Sequence, residues 1–413
     1  MKEVCIVNYT SNAAVYGIGT YIREYVYCLE NSGCKINIVE LGTDDKRPEF
    51  YVREDRNIRT MHFPYLLKGD IDRYNKGVCR LLRLYIEDSC NLVFHFQYWQ
   101  SSSLLDNIKK YYPLSKSVFT IHYLHWSEFF RGDIFRFEKI IRNQESEKIK
   151  KEYGHIIEKY IQEKTLLGNF DRIVALSDDT LNLVQNLYGI KQNVWLIPNG
   201  LRKDFRNLSG NQKVELKEKY YIRPEEKILL FVGRIDAGKG IEQLLACFDE
   251  VVKEYPNCRL VVAGNGNING AIMNCKKTYN KVTFTGLMDK KTLYQWYQIA
   301  DIALFPSFHE ECSFAGIEMM MHGMPVIASD GFGVRSMFHE GINAKIAKIE
   351  NWKRYSKFQK NLKKSIVDML NSDLSESKLM SDLREGAKKT YQSKYRIECM
   401  QKGYMELLNS LEK

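Results

Sequence analysis

Long apolar segments are absent from this sequence of 413 residues. No run of about 18 apolar residues occurs, and the mean hydropathy is −0.38, so we expect no membrane-spanning helix. The amino terminus also lacks the basic region, apolar core and cleavage site of a secretion signal. Only 8 prolines are present and 44% of the residues are hydrophobic, which excludes disordered and low-complexity classes. We expect a globular cytoplasmic protein, and peripheral attachment to the inner face of a membrane stays open.

Three chemical signatures are missing as well. The ten cysteines form no C-x-x-C pair and no His/Cys cluster at zinc spacing, so we expect reduced thiols. The chain has no G-x-x-x-x-G-K-[ST] phosphate loop. It also has no G-x-G-x-x-G fingerprint with its ribose-binding acid, which argues against a dinucleotide-dependent dehydrogenase.

The positive charge is unevenly distributed. The net charge is +10, and residues 201–413 hold 34 basic and 26 acidic residues, against 27 and 25 in residues 1–200. The sharpest basic run, 351–367, contains no acid and carries six cations: Lys353, Arg354, Lys357, Lys360, Lys363 and Lys364. A solvated helix face is favoured there over a membrane contact. We expect no nucleic-acid partner.

Short β-rich runs alternate with helical and polar stretches, which is typical of parallel sheets covered by helices. We predict helices at 20–31 and 133–168 and a polar seam at 201–226 between two α/β halves. The predicted strands of the first half are 4–7, 36–40, 92–96, 117–122, 172–176 and 193–197. Those of the second half are 227–232, 258–263, 282–285, 302–305 and 325–328.

A loop with two cations follows the predicted strand at 227–232. The stretch FVGRIDAGKGIEQLL runs from that strand through a glycine-bracketed loop with Arg234 and Lys239 into a helix. Such a loop faces the crevice where α/β sheets bind ligands, and the helix adds the positive end of its dipole. The pattern predicts a phosphate site, against the alternative of two solvated cations in a turn.

Two further strands of the second half end in glycine turns. Gly264 and Gly266 follow the strand at 258–263, and Gly286 precedes Leu287. Glycine lets a backbone come close to a neighbour, and we interpret these turns as an approach to a flat ligand such as a nucleobase.

The stretch LFPSFHEECSFAGIEMMMHGMPVIASDGFG carries two acids, Glu310 in a loop and Glu318 in a helix that begins near Ser313. Both carboxylates are predicted to face the crevice. The free N–H groups at the helix start predict an anion site. They belong to Cys312, Ser313, Phe314 and Ala315.

Together these motifs resemble glycosyltransferase family 4, a large group of retaining enzymes with the GT-B fold. The family pattern G-R-x(4)-K-G is matched by Gly233, Arg234, Lys239 and Gly240. A second element is matched by Pro306, Ser307, Glu310, Glu318, Gly323, Pro325 and Val326. Further matches are I-P-N-G at 197–200, Ser177 and T-I-H at 120–122. The likeness covers most of the chain.

The resemblance implies an α/β fold with two Rossmann-like domains whose parallel sheets face across a cleft. Residues 1–200 would form the acceptor side and 201–390 the nucleotide-sugar side, with a last helix at 391–413 crossing back onto the first domain. The implied activity is retaining transfer from a nucleoside-diphosphate sugar to an acceptor hydroxyl, without metal or cofactor. A UDP-sugar is favoured over a GDP-sugar, and the acceptor is a glycan, a lipid-linked sugar or a peptide.

The resemblance also implies individual residue roles. Arg234 and Lys239 would bind the donor diphosphate, Glu310 would lie against the sugar, and Glu318 would bind the ribose. His122 would lie near the sugar, so the implied catalytic set is Glu310, His122, Arg234 and Lys239. Other implied donor contacts are Gly17, Gly19, Gly233, Gly264, Leu287, Ser313, Phe314 and Ala315.

Several alternatives remain at this point. His95 and His125 rival His122, which itself could be a packed structural histidine. Asp70-Ile71-Asp72 has the form of a D-x-D metal site, but a helix start is the favoured interpretation. A sugar-nucleotide epimerase of the same architecture and a catalytically silent binding subunit are the alternative functions.

The sequence also departs from the family pattern. Tyr16 stands beside Gly17 where a glycine pair is usual, Ser313 replaces a glycine, and Arg202 and Ser336 stand where acids are usual. These departures leave the acceptor open.

Overall fold

The computed structural model describes most of the chain. The described residues are 1–9, 17–43, 49–64, 70–98, 102–275, 277–374 and 378–412.

The chain forms two compact units, and each is discontinuous in sequence. The first comprises Met1–His125, Ile140–Gly200 and Ile397–Lys413, and the second comprises Trp126–Lys139 and Leu201–Arg396. The boundary at residue 200 coincides with the sequence-based one. The assignment of 126–139 differs from the prediction, which had placed this segment in the first half. The acceptor and donor roles of the two units stay predictions.

The first unit is built on an eight-stranded sheet. Its order is β3-β4-β2-β1-β5-β6-β7-β8, and every neighbouring pair is parallel except β3 with β4. The central strand β5 is buried at all five positions, as expected for a strand covered on both faces. The strands are β1 Glu3–Tyr9, β2 Lys35–Thr43, β3 Tyr51–Asp55, β4 Ile58–Pro64, β5 Leu92–Phe96, β6 Lys116–Ile121, β7 Arg172–Ala175 and β8 Val194–Leu196.

Helices cover this sheet. They are α1 Gly17–Glu30, α2 Ile71–Leu82, α3 Ser102–Tyr111, α6 Glu147–Gly168, α7 Asp178–Asn186 and α16 Ile397–Ser410. Asp70 is the N-cap of α2, and its carboxylate accepts from the backbone N–H of Asp72 at 2.9 Å. This confirms the helix-start interpretation of the D-x-D sequence.

The second unit contains a six-stranded, fully parallel sheet with the order β11-β10-β9-β12-β13-β14. Its strands are β9 Lys227–Val232, β10 Cys258–Ala263, β11 Val282–Gly286, β12 Ile302–Phe305, β13 Val326–Ser329 and β14 Lys345–Ala347. Its helices are α4 Trp126–Phe130, α8 Gly210–Lys219, α9 Ile241–Glu254, α10 Ile268–Ile272, α11 Lys290–Ile299, α12 Phe314–Met321, α13 Val334–Met337, α14 Ser356–Leu374 and α15 Lys378–Thr390. Helix α5, Ile134–Arg142, crosses the boundary between the units.

Every strand predicted from the sequence is present, with ends shifted by at most a few residues. The prediction missed β3, β4 and β14. The outer strand β3 has three exposed residues out of five, and β14 is three residues long, so neither shows the apolar run of a buried strand.

The single helix predicted at 133–168 is wrong in one respect, because the chain breaks it at 143–146 into α5 and α6. The first part packs within the second unit. The indole of Trp126 stacks on Phe137 at 5.5 Å and meets the ring of Phe332 edge-on at 5.0 Å. Buried aromatic packing therefore holds 126–139 in the second unit.

Helix α16 belongs to the first unit through a buried polar network. The Tyr404 hydroxyl lies 2.5 Å from the Tyr21 hydroxyl of α1. His95 of β5 bonds through Nδ1 to the Tyr25 hydroxyl and through Nε2 to Thr120 Oγ1 of β6, both at 2.8 Å. The network therefore ties α1, two central strands and the last helix together.

No helix in the described ranges is both long and apolar enough to span a membrane. In the basic run, Lys357 pairs with Glu350 at 3.2 Å and Lys363 pairs with Glu254 at 2.5 Å. All ten cysteines are free thiols.

Candidate functional site

The predicted phosphate loop connects β9 to α9. The Asp236 carboxylate accepts from the N–H of Gly238 at 2.9 Å and caps a single 3-10 turn, Ala237–Lys239. Arg234 points outward, with 61% of its side chain exposed, and its Nε lies 3.3 Å from Asp236 Oδ2. The loop therefore presents a solvated guanidinium beside the start of α9.

The loop after β12 is held by backbone hydrogen bonds to two neighbouring loops. The N–H of Phe308 donates to the carbonyl of Gly238 at 2.9 Å, which joins this loop to the phosphate loop. The N–H of Glu310 donates to the carbonyl of Phe332 at 3.0 Å, and the N–H of Phe332 donates to the carbonyl of Phe308 at 3.2 Å. Three loops therefore meet at the carboxyl edge of the sheet.

One ion pair joins the two sequence motifs directly. Lys239 Nζ donates to Glu310 Oε1 at 2.6 Å, and the side chains are 20% and 9% exposed. The charges are partly removed from water, so each depends on the other more than a surface pair does. The structure thus brings together two residues that the sequence separates by 71 positions.

The strand-end glycines have a structural role that the sequence did not predict, and their approach to a ligand stays a prediction. A Cβ at Gly264 would lie 1.8 Å from the carbonyl oxygen of Gly233, and one at Gly266 would lie 2.4 Å from that of Ile235. These glycines are therefore required for contact between adjacent loops, whether or not a ligand is present. Leu287, after β11, is 59% exposed.

Helix α12 starts where predicted. Ser313 is its N-cap, and its hydroxyl oxygen lies 3.5 Å from the N–H of Gly316. Phe314 and Ala315 form the first turn and are partly exposed. The first N–H groups of the helix therefore lie near a surface, as an anion site requires.

Glu318 lies on the second turn of α12 and differs chemically from Glu310. Burial raises its pKa from 4.5 to about 7, although the hydrogen bond from Tyr297 and the charge of Lys290 act in the opposite direction. The Tyr297 hydroxyl donates to Glu318 Oε2 at 3.0 Å. The two carboxylates thus have separate environments, one paired with an ammonium and one with a phenol.

Among the three candidate histidines, the structure distinguishes His122. His95 is fully used in the buried network, and His125 Nδ1 lies 2.5 Å from the carboxylate of buried Glu163. His122 is partly exposed, its Nε2 lies 3.0 Å from Gln97 Oε1, and its ring meets the Tyr21 ring edge-on at 4.6 Å. Burial lowers the pKa of His122 to about 3, so its imidazole is neutral.

The remaining predicted positions lie at or just before the starts of α1 and α12. Gly17 and Gly19 open α1, while Tyr16 and the loop before it lie outside the described residues. Cys312 is buried. The described part of the chain contains no group of three or more His, Cys, Asp or Glu side chains that could hold a metal ion.

Family models match both halves of the chain. Residues 15–205 match the model described as Glycosyltransferase Family 4, and residues 212–390 match Glycosyl transferases group 1. The chain belongs to the family 4 glycosyltransferases.

A curated relative of this family 4 protein is an uncharacterized glycosyltransferase of Methanocaldococcus jannaschii. It is 31% identical over 140 residues, which is 33% of this chain and 36% of the relative. The alignments with the first curated relatives span only 34% to 45% of the length of those proteins.

Solved structures share the GT-B fold over nearly the full length. Sucrose-phosphate synthase from Thermosynechococcus elongatus superposes with a TM-score of 0.76 at 19% identity, covering 100% of this chain and 99% of that one. HepE of Anabaena, solved in complex with UDP and glucose, has a TM-score of 0.71 at 12% identity, covering 99% and 100%. At these identities the likeness concerns the fold, and it confirms the expected fold class.

Sequence reasoning missed several residues that contact the predicted ones within each unit. Tyr297, Gln97 and Tyr21 contact Glu318 or His122 from elements distant in sequence, and no motif marks them. Gly333 could have been found from the sequence, because it ends the G-F-G that follows β13 and a glycine there indicates a tight turn or a close backbone contact. Its φ is +71°, and a Cβ there would lie 1.6 Å from the carbonyl oxygen of Glu310.

We expect Gly333→Ala to destabilise the protein more than Gly341→Ala. Both glycines have a φ of +71°, but Gly341 has open space around it, so it reports backbone strain alone. We expect about 1 to 2 kcal/mol for Gly341→Ala and at least about 2 kcal/mol more for Gly333→Ala. Urea unfolding measures both losses. Equal losses would show that the contact with Glu310 has no energetic weight.

A second prediction concerns Glu318 and pH. Because its folded pKa is raised above 4.5, ionising it opposes folding, so its favourable contribution is lost as the pH rises towards about 7. Relative to Glu318→Gln, wild type should lose about 1 to 3 kcal/mol of unfolding free energy between pH 5 and pH 8, a range that allows for solvent screening. Urea unfolding at both pH values measures this difference. Parallel pH profiles for the two proteins would contradict the raised pKa.

Proposed function

We propose that this protein transfers a glycosyl group from a UDP-sugar to an acceptor hydroxyl, with retention and without a metal ion. The ion pair between Lys239 and Glu310 carries the proposal, because it holds a cation and a carboxylate side by side at the carboxyl edge of a parallel sheet. Ligands of open α/β folds bind at that edge.

The cationic groups suit the leaving diphosphate. Arg234 offers an exposed guanidinium, Lys239 offers an ammonium, and α12 offers unpaired N–H groups at its start. Such preorganised donors stabilise the charge that builds on the diphosphate as the bond to the sugar breaks. They also provide the charge stabilisation that a divalent ion supplies in metal-dependent enzymes.

The two carboxylates would contact different parts of the donor, the sugar and the ribose. Glu310, paired with Lys239, would lie against the sugar and stabilise positive charge at the anomeric carbon. Glu318, hydrogen-bonded to Tyr297, would bind the ribose hydroxyls. The structural neighbour HepE was solved with UDP and with UDP-glucose, which supports a uridine nucleotide here.

The proposed reaction needs no external base. The bond from the anomeric carbon to the diphosphate oxygen breaks, and the acceptor oxygen bonds to the same face of that carbon. The acceptor proton passes to the departing phosphate oxygen. Neutral His122 would hydrogen-bond the sugar and orient it, because an uncharged imidazole does not oppose positive charge at the anomeric carbon. The acceptor class is a glycan, a lipid-linked sugar or a peptide.

We expect Arg234→Ala to weaken UDP binding roughly tenfold or more and uridine binding by less than about twofold, because the guanidinium contacts only the diphosphate. Arg234 is exposed, so its removal should leave the fold intact. Lys239→Ala should act in the same direction. Calorimetry with both ligands measures the effect, and Lys253→Ala, an exposed lysine of α9, is the matched control. Equal losses for UDP and uridine would move the diphosphate away from this loop.

A fourth prediction separates the carboxylates. Glu318→Ala should weaken UDP binding by about 1 to 3 kcal/mol, because it removes a hydrogen bond and leaves a ribose hydroxyl without its partner. Glu310→Gln should leave UDP affinity nearly unchanged and lower the turnover of the full donor. Calorimetry measures the UDP affinity of both variants, and initial rates measure their turnover of the full donor. The same loss of UDP affinity in both variants would contradict the division.

The last prediction tests whether turnover requires a divalent metal ion. Turnover of UDP-sugar should persist in excess chelator, since the cations and helix start provide the charge stabilisation. Initial rates with and without EDTA measure this, and a denatured sample controls for donor hydrolysis. Activity lost in chelator and restored by manganese or magnesium would contradict metal independence.

A further inference from the structure

The second unit contains a cavity of about 360 Å³ that the proposed donor site does not use. It lies beside the end of α12 and against α15. Four cationic side chains line it, and no aspartate or glutamate is among its described lining residues. The cations are Lys203, Lys213, Arg384 and Lys388. A cavity of this size is in the range of small-molecule sites.

Three of these cations, the lysines, have no ion-pair partner within the part of the chain that the structure describes, whereas the charge of Arg384 interacts with the carboxylates of Asp301 and Asp373. Lys203, Lys213 and Lys388 form no ion pair there, and Lys203 Nζ instead lies 5.2 Å from the centre of the Phe205 ring. Arg384 Nη2 lies 3.5 Å from the carbonyl oxygen of Asp301, which is a weak contact. The three lysines lack counter-charges and repel one another, so the cavity favours an anion.

His322 adds an unsatisfied polar group to the same wall. Its ring stacks on Phe205 at 3.8 Å and on Tyr297 at 5.1 Å, and neither ring nitrogen has a hydrogen-bond partner within the described residues. Burial lowers the pKa of His322 to about 3, so the ring is neutral and carries one N–H donor. A buried donor without a partner is costly, and a bound oxygen would satisfy it.

One of the cations packs against a glycine turn. Gly323 has a φ of +65°, and a Cβ there would lie 2.3 Å from Lys388 Cε. The stem of Lys388 therefore runs directly against the turn that ends α12. In that turn the N–H of Gly323 donates to the carbonyl of Met320, and the N–H of Met324 donates to the carbonyl of Met319. This pair of hydrogen bonds is a Schellman motif. The glycine thus leaves room for a lysine at the cavity.

We propose that this cavity binds the phosphate group of a phosphorylated small molecule, separately from the donor diphosphate. A phosphate group has enough acceptor oxygens to bind the guanidinium of Arg384, two or three lysine ammonium groups and one imidazole N–H. A carboxylate has only two oxygens for these donors. Tyr297 links the two regions, since its ring lines the cavity and its hydroxyl bonds Glu318. The inference does not depend on the identity of the donor or the acceptor.

Calorimetry on the full chain tests the proposal with inorganic phosphate and with glycerol 3-phosphate, and glycerol at the same ionic strength is the uncharged control. The background variant is Arg234→Ala with Lys239→Ala, which removes binding at the donor loop. We expect phosphate binding to persist in that background. Adding Lys203→Met and Lys388→Met should weaken it roughly tenfold or more, since two charge-assisted contacts are lost.

Lys360→Met, an exposed lysine of α14, is the control for charge loss alone and should change nothing. Lys213→Met is a second test, because this lysine is exposed and its loss does not threaten folding. Tighter binding of glycerol 3-phosphate than of inorganic phosphate identifies an ester as the source, and the reverse order identifies the free ion. No phosphate binding in the background variant, or binding that the cavity variants leave unchanged, would overturn the proposal.

Discussion

The site depends on backbone atoms that approach one another too closely for any side chain. At the carboxyl edge of the second sheet, a Cβ at Gly240 would lie 2.1 Å from the carbonyl oxygen of Pro306, and one at Gly333 would lie 1.6 Å from that of Glu310. These contacts lock the loops after β9, β12 and β13 into one layer. Lys239 and Glu310 face each other because the loops that carry them are in backbone contact and are joined by the hydrogen bond from Phe308 to the carbonyl of Gly238.

On this rigid layer, environment separates groups of the same chemical type. Glu310 lies 2.6 Å from an ammonium, while burial raises the pKa of Glu318 and favours its protonated form. The two cations also differ, because Lys239 is mostly covered and Arg234 is mostly in water. A covered cation beside a carboxylate can orient a reacting group, and an exposed one can capture a charged ligand from solution.

The second sheet was the easiest part to predict from sequence. Strands such as β9 and β12 are buried on both faces and therefore read as apolar runs, and the predicted and observed ends coincide. The outer strand β3 ends in three consecutive exposed charged residues, so its pairing depends on β4 and not on its own composition.

At the candidate site, motifs predicted the residues on the loops but not their supports. The spacing of Lys239 and Glu310 resembles a known pattern, whereas Tyr297 reaches Glu318 only through tertiary packing. The sequence also could not tell His122 from His95. His95 lies on β5 and His122 directly follows the neighbouring strand β6, and only the hydrogen bonds of His95 to Tyr25 and Thr120 show that it is structural.

The discontinuity of the first unit has a consequence for how the protein is made. Tyr404 belongs to the core around Tyr21, yet roughly 200 residues of the second unit are synthesised between Gly200 and α16. At about 5 to 20 residues per second, the first sheet waits about 10 to 40 seconds on the ribosome for its last helix. The second unit is complete in sequence once Arg396 has been synthesised, before α16 is made. During that interval the apolar face of α1 that α16 later covers is open to solvent, and transiently exposed apolar surface of this kind favours aggregation.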